Sequence, residues 1–596
     1  MIKQGKNIKK GRKRLSPVCF IFLLKQRHNE QFLLLLQTLR TKYANMAHTF
    51  VEYFENSIIE HWDLKALTNY VSQKEYTYAQ VAEEVAKLHL LFRKLNITEE
   101  DKIALVGRNT PEWIITFIAS VTYGAVIVPI LQDFHPHDIQ HIINHSDAKL
   151  LFLSDNIWEN VEEDKLQNIR AVFSITDFRC IHQADGETIQ MTMKHLDEEW
   201  KESYPQGVTK SDIHYTKKDN SRMCVLNYTS GTTGFSKGVM LSGDNLCCMI
   251  DYGFKTNLVG RGYHILSFLP LAHAYGCAFD FLAQFVGGSH ITLLTKLPSP
   301  KVLLKAMDEI KPDSIFTVPL VIEKVYKNNL LPLLNKTSMK VATSIPLLNN
   351  RIYAEIRNKL VNVFGGRFKN VVIGGAAFNQ EVEDFLTKIG FPFTVGYGMT
   401  ECAPLISVDT VKFTPHSVGK PIDDVEVRID SSDPYKIPGE IQIKGRNVML
   451  GYYKNEEATQ AVFTEDGWLK SGDIGVIDSE KNIYIKGRIK TMILSSSGQN
   501  IYPEEIEAKI NNLPFVTESV VIQSNNALVA LVYPDTAALD EMGIDDSQLA
   551  ILMEQQRTEV NKRLAQYEQI KEFRIHPTEF EKTPKKSIKR YLYENG

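Results

Sequence analysis

The sequence predicts an α/β fold: a large N-terminal domain of layered α/β sheets plus a β unit, and a small α+β C-terminal domain. Three observations carry this. From Met46 onward, short apolar runs alternate with amphipathic stretches, the pattern of strands joined by crossover helices. Several runs end on glycine, where strands of such sheets turn and ligands gather. After about Ser407 the texture changes to short alternating strands, and near Gly487 to Lys490 it changes again. The predicted boundaries are 1–45 as an extension outside the fold, 46–487 as the large domain and 488–596 as the small one.

In order, "AHTFVEYFENSI" reads as an amphipathic helix and "KIALVGRN" as a strand and turn. "TPEWIITFIASVTYGAVIVPI" reads as helix then strand, with Pro111 in the first turn. "AKLLFLS" is a buried strand, and "MCVLNY" leads into a glycine-rich loop. "KNVVIGGAAF" is a strand ending in glycines, followed by the helix "NQEVEDFLTKIG" with Asn379 as N-cap and Gly390 as C-cap. "FPFTVGYG" returns to a strand. "VEVRID", "GEIQIKG" and "KNIYIKGR" form the β unit. "YPEEIEAKINNL" is a helix, "SVVIQ" and "ALVALVYP" are strands, and a charged helix with a lysine-rich tail ends the chain.

Bulk composition excludes several classes. Hydrophobic content of 43% with 23% charged residues describes a globular chain, and a net charge of −3 gives no sign of nucleic acid as partner. Seven cysteines without a CxxC pair argue for a reduced, cytoplasmic setting and no structural metal. No run approaches the roughly 20 apolar residues that span a bilayer. The basic start followed by "VCFIFLL" (Val18–Leu24) has the order of a signal peptide, but "KQRHNEQ" follows directly and no small-residue cleavage site appears. An upstream extension is the favoured reading over export. An anchor at the membrane surface, giving peripheral contact, is the third.

The stretch "NYTSGTTGFSKGVMLS" (Asn227–Ser242) is built to hold an anion. Gly231 and Gly234 open a nest of backbone N–H groups. Thr229, Ser230, Thr232 and Thr233 add hydroxyls, and Lys237 adds a positive charge. It is not a Walker A loop, because Lys237 lies between Ser236 and Gly238.

Taken whole, this loop resembles the phosphate loop of the adenylate-forming superfamily, which includes acyl- and aryl-CoA synthetases, adenylation domains of peptide synthetases and beetle luciferases. Its usual pattern is YTSGTTG-x-P-K-G-V, and here Phe235-Ser236 replaces x-Pro. Other signatures follow in order. "GGAAF" (Gly374–Phe378) resembles the turn whose backbone lies along the adenine, implicating Gly375 and Ala376. "GYGMTE" (Gly396–Glu401) resembles the motif that stacks an aromatic, Tyr397, on adenine beside Gly398 and Thr400. The resemblance makes Thr400 and Glu401 catalytic and gives magnesium Glu401 and Thr229 as ligands. "GWLKSGDIG" carries Asp473, which would accept hydrogen bonds from the ribose hydroxyls, and "KGRIK" carries Arg488, expected near ribose and phosphate. Plainer readings stand beside these: Glu401 as a helix-capping acid, Asp473 as a turn residue, Tyr397 as a core tyrosine. His273 in "FLPLAHAYG" reads equally as a hydrogen-bonded histidine at a helix mouth and as a substrate-binding gate of the acyl pocket.

The implied reaction joins a carboxylate to ATP as acyl-AMP with loss of pyrophosphate, then passes the acyl group to a thiol. In the family the small C-terminal domain is mobile and carries a lysine in T-P-x-x-K-I-x-R. Here "KTPKKSIKR" puts Ser587 at that position, and Lys586 is the candidate substitute. Thr491 stands where many relatives have Asp. "PLAHAYGCAFDFLAQFVGG" and "LISV" suit a hydrophobic acyl slot. "VFGGRFKNVVIGGAAF" and "IEKVYKNNLLPLLNK" resemble the long-chain fatty acyl-CoA synthetase branch. The expected substrates are a medium-to-long-chain fatty acid, ATP and CoA, with Mg2+. Two alternatives stay open: a fatty acyl-AMP ligase or acyl-carrier-protein loader, and a weakly catalytic nucleotide- and lipid-binding relative. None of these motifs sets chain length or oligomeric state.

Overall fold

The computed structural model describes residues 48–596 except 184–186, 218, 230–236, 335, 410–412, 496–498, 526, 584–586 and 594–596. Thr49–Gly596 forms one compact unit; the extension 1–45 lies outside the described residues.

An eight-stranded sheet runs in the spatial order Gly451–Tyr452, Lys237–Ser242, Met223–Thr229, Val126–Ile130, Lys102–Val106, Ala148–Leu153, Ala171–Ser174, Cys180–Gln183. Its inner pairs are parallel and its two outer flanks antiparallel. Val126–Ile130 is buried at every position, as an inner parallel strand covered on both faces requires. The helix before it, Pro111–Tyr123, starts where Thr110 accepts from the Trp113 N–H and stops at Gly124, whose φ of +97° suits a residue without a Cβ. That helix is buried nearly all round because it sits under the sheet.

A second sheet orders Ile315–Thr317, Val371–Ile373, Phe393–Gly398, Leu405–Val408 and Lys420–Pro421, parallel for the first three and antiparallel thereafter. Asn379 accepts from Glu381 N and Val382 N to start the helix Gln380–Ile389, which ends at Gly390, as expected from the sequence. A four-stranded sheet holds His264–Ser267, His290–Leu293, Lys65–Asn69 and Glu75–Thr77. The β unit is an antiparallel sheet of Val425–Asp430, Gly439–Gly445, Leu469–Ile477 and Ile483–Arg488.

One large apolar cluster runs from Phe50 to Ile483. The C-terminal stretch builds smaller clusters of its own around Ile506, Val521, Ala530 and Met553, and around Val520 and Phe580. It carries a three-stranded sheet (Val516–Ser524, Ala527–Pro534, Ile570–Ile575) with helices Pro503–Ile510 and Asp546–Asn561. Polar contacts tie it to the larger part: Lys327 Nζ donates to Asn511 O at 2.9 Å, and the side chains of Asn379 and Asn512 meet. Two segments are π-helical, Gly276–Leu282 and Tyr326–Leu330, which apolar periodicity did not indicate. Among the described residues no helix is long and apolar enough to cross a membrane.

Candidate active site

Strands Met223–Thr229 and Lys237–Ser242 pair antiparallel with Thr229 opposite Lys237, so the loop between them leaves and returns at one point. Ser230, Gly231, Thr232, Thr233 and Gly234 lie outside the described residues. At that point three distant segments converge. Lys237 Nζ stands 4.7 Å above the ring of Tyr452, and Tyr452 donates its hydroxyl to Glu401 Oε1 at 2.9 Å. Strand pairing brings Tyr452 there, because it lies opposite Val239, and Met449 N donates to Glu401 O at 2.8 Å. Burial and the nearby Glu401 charge push the Tyr452 phenol well up, so it stays a donor. The carboxylate and the lysine thus share one aromatic neighbour at the loop's mouth. Sequence reasoning did not single out Tyr452.

The second group lies at the carboxyl ends of two adjacent parallel strands. Ile373 pairs with Val395, so the turn Gly374–Ala376 and the Tyr397–Gly398 pair sit side by side. Gly375 has φ +87° and is exposed with Ala376. The carbonyl of Gly396 and the ring of Tyr275 stand against Gly374, and Tyr275 donates its hydroxyl to Val372 O at 3.0 Å. Tyr397 is buried, and its hydroxyl donates to Asp473 Oδ2 at 2.7 Å. Arg488, directly across the strand pair from Asp473, reaches Asp473 Oδ1 at 3.1 Å. Burial raises the Asp473 carboxyl, and Arg488 and the Tyr397 hydroxyl oppose that rise. Asp473 is therefore more than a turn residue: it is a buried acid oriented by two donors. Thr400 is buried in the turn Thr400–Cys402 that carries Glu401.

The third group is the segment before the first π-helix. His273 sits on a turn, half-buried, where its Nδ1 accepts from Tyr275 N at 3.3 Å. Buried side chains cradle this turn from three directions. Asn109 donates to Leu269 O at 2.7 Å and accepts from Leu271 N at 3.1 Å. Asn227, two residues before Thr229, donates to Ala272 O at 3.0 Å. Asp280 Oδ2 accepts from Phe268 N and Leu269 N, both at 3.2 Å. Burial pushes the Asp280 carboxyl up to about 8 against those N–H groups, which suits a protonated acid at neutral pH. "LISV", expected to wall an acyl slot, forms the buried strand Leu405–Val408 beside Phe393–Gly398.

The tail is less free than its composition suggests. Thr583 N donates to Ser587 O at 2.8 Å, Lys582 bridges Ile588, and Arg590 pairs with the buried Glu507. Lys586 lies outside the described residues. Thr491, which stands where many relatives have Asp, donates its hydroxyl to Glu504 Oε1 at 2.6 Å.

Among the described residues no cluster of three or more His, Cys, Asp or Glu side chains stands ready to hold a metal. Of the two residues expected to hold Mg2+, Glu401 accepts from the Tyr452 hydroxyl and Thr229 ends the strand opposite Lys237; a carboxylate and a hydroxyl are oxygen donors of the kind Mg2+ takes. A transition-metal cage has no counterpart there.

Comparison with known proteins gives a consistent picture. The AMP-binding enzyme family matches residues 54–453, and the AMP-binding enzyme C-terminal domain matches residues 490–595. Long chain acyl-CoA synthetase 4 of Arabidopsis thaliana is 26% identical over 560 residues, covering 85% of this chain and 82% of that protein. Long-chain-fatty-acid–CoA ligase FadD15 of Mycobacterium bovis is 25% identical, covering 87% and 90%. The crystal structure of the anthranilate CoA ligase AuaEII in complex with anthranoyl-AMP superposes with a TM-score of 0.73 at 18% identity, covering 91% of this chain and 96% of that one, a likeness of fold. Because the first family match alone spans more than half of the sequence, the chain belongs to the AMP-binding enzyme family, the adenylate-forming enzymes, and within it is similar to the long-chain acyl-CoA synthetases.

Proposed function

We propose that this chain activates a medium-to-long-chain fatty acid as acyl-AMP and transfers it to CoA. The observation that carries the reading is the meeting of Lys237, Tyr452 and Glu401 at the mouth of the Gly/Thr loop. Family membership supports an adenylate-forming ligase acting with ATP and CoA. The long-chain preference draws on relatives about a quarter identical and on the apolar segment around Phe279 and Phe281.

In this reading one carboxylate oxygen attacks the α-phosphorus of ATP. The bond to the bridging oxygen breaks, and pyrophosphate leaves with that electron pair. Joining two anions needs positive charge held in place before reaction, because fixed donors cost no reorganisation in the transition state. Lys237 and the loop's N–H and hydroxyl groups hold the departing phosphates. Asp473, set by Tyr397 and Arg488, accepts from the ribose hydroxyls, while Gly375, Ala376, Tyr397 and Gly398 bracket the adenine. Glu401 and Thr229 hold Mg2+, which when bound screens the phosphate charge. His273 gates the acid. A thiol then attacks the acyl carbon and AMP leaves. The working parts are residues 46–487 and 488–596, with Lys586 bringing a cation from the tail.

The test is acid-dependent ATP–pyrophosphate exchange across acetate, octanoate, palmitate and anthranilate, followed by CoA or acyl-carrier protein. Exchange that is strongest with the longer fatty acids, and thioester formed with CoA, is expected. Strongest exchange with anthranilate or acetate overturns the chain-length reading. One observation, Ser587 at the family's lysine position, favours a second reading in which adenylation is weak and the chain mainly binds nucleotide and lipid. ATP binding without exchange for any acid selects it.

A further inference from the structure

His145, the last residue of the helix Pro136–His145, touches neither the acid nor the nucleotide in the proposed reaction, yet it stands beside the neck of the Gly/Thr loop. Its Nδ1 lies 2.7 Å from the Tyr228 hydroxyl, and the two rings meet edge to face with centroids 5.8 Å apart. Tyr228 is buried, directly precedes Thr229 and pairs with Gly238 across the two strands. A Cβ at Gly238 would stand 3.1 Å from Tyr228 Cζ, so the ring lies close against the backbone next to Lys237. The second strand of the neck is held by the segment that carries Tyr452. Tyr453 N donates to Gly238 O at 2.8 Å, while Lys237 Nζ stands over the Tyr452 ring. Tyr453 then leads back to His145. Their ring centroids are 5.9 Å apart, and the Tyr453 hydroxyl donates to Asp147 Oδ2 at 2.8 Å. Lys454 Nζ ties this corner together, reaching Asp147 Oδ2 at 2.6 Å and His145 O at 3.2 Å.

We propose that His145 is a positioning residue for the β- and γ-phosphates of ATP: acting through Tyr228, it fixes the neck of the loop so that Thr229 and Lys237 are in place before the nucleotide arrives. A hydrogen-bonded histidine in a core is ordinary. What sets this one apart is that its partner is the residue next to Thr229, and that the residue holding Gly238 packs on the same imidazole. Burial, with His141 and Lys454 nearby, makes His145 harder to protonate against the pull of Asp147. Burial also raises the Tyr228 phenol. At neutral pH the phenol O–H therefore donates to an uncharged imidazole, a link that gives the Tyr228 ring one orientation. A site whose ligating groups are locked by a second layer of hydrogen bonds binds with less ordering cost. The inference rests on the loop holding those phosphates, as in the proposed function, and is independent of which acid is activated.

The test is calorimetric titration of ATP and, separately, of AMP into the full-length protein and four variants. AMP lacks the two phosphates that the loop would hold, so a loss confined to ATP reports on the loop. His145→Phe and Tyr228→Phe should each weaken ATP binding on the order of tenfold, as loss of a hydrogen-bonded support behind a ligating group does at metal sites. AMP affinity should stay at the parent value. The double variant should lose no more than either single one, because both changes break the same link. His145→Asn, which can place a carbonyl oxygen near the position of Nδ1, should recover most of the ATP affinity. Should His145→Phe fail to fold, Tyr228→Phe and His145→Asn carry the test. ATP affinity equal to the parent in both single variants overturns the inference alone and leaves the proposed function standing. Equal losses for ATP and AMP overturn it too, since they mark a general structural role, and so do losses that add in the double variant. A parent that does not bind ATP overturns the phosphate role of the loop and this inference with it.

Discussion

Asp473→Asn separates the role of a charge from the role of a shape. In the protein Asp473 accepts from the Tyr397 hydroxyl at 2.7 Å and meets Arg488 at 3.1 Å. The amide keeps an oxygen for Tyr397, so no buried hydroxyl is orphaned and the fold should hold. Arg488 is 68% exposed on its side chain, so losing its partner costs little. The change falls on the nucleotide. A hydrogen bond to a charged group contributes about 1.5–3 kcal/mol, a neutral one about 0.5–1.5. Two ribose hydroxyls therefore lose about 2–3 kcal/mol together, or roughly 30–150-fold in ATP affinity. Calorimetric titration of ATP into parent and variant measures this, with thermal melts beside it. Equal ATP affinity would refute the ribose role and return Asp473 to a structural acid. A large fall in melting temperature would show that the charge itself supports the fold.

Further outcomes follow from the same geometry. Glu401→Gln keeps shape but removes a negative ligand, so exchange should fall and the magnesium concentration for half-maximal exchange should rise; an unchanged magnesium dependence rules out the metal role. Burial pushes the Asp280 carboxyl up to about 8 in the folded protein, whereas unfolded Asp titrates near 3.9, so between these values unfolding should release a proton and stability should fall as pH rises. Urea melts of the parent should lose up to about 1.4 kcal/mol per pH unit relative to Asp280→Asn in that window and run parallel above it; parallel curves from pH 5 to 8 mean an ionised Asp280. Ser587→Lys should raise the exchange rate, and Lys586→Ala should lower it on the order of 10²-fold, as for loss of one oriented donor, while supplied acyl-adenylate still passes to CoA. If neither variant changes exchange, the tail lysines are a solvated face.

Much of the fold was legible because it is written locally. The helix Gln380–Ile389 shows its caps, Asn379 and Gly390, in the sequence, and the strand Val126–Ile130 shows itself as an unbroken apolar run. The loop Asn227–Ser242 stands out by composition, while its central residues 230–236 lie outside the described residues. What was not legible depends on pairing between distant segments. Tyr452 reaches Glu401 only because Gly451–Tyr452 joins the edge of the sheet beside Lys237–Ser242, and nothing in either segment states that register. The joint hold of Tyr397 and Arg488 on Asp473 arises the same way, across two sheets. Within Gly276–Leu282 the π-turn changes the residues per turn, so a run that reads as uniformly apolar conceals a buried acid, Asp280, with a positioning task. "LISV" forms the buried strand Leu405–Val408, and apolar sequence alone does not distinguish burial within a sheet from the wall of a substrate slot.

The central claim is that the acid is activated through its own oxygen. Incubation with ATP, CoA and palmitate labelled with 18O in both carboxylate oxygens tests it most directly, with mass analysis of the AMP produced. The account predicts one 18O atom in each AMP, carried over when the acyl–phosphate bond forms and kept when the thiol displaces AMP. Unlabelled AMP, or ADP with labelled phosphate, would contradict it.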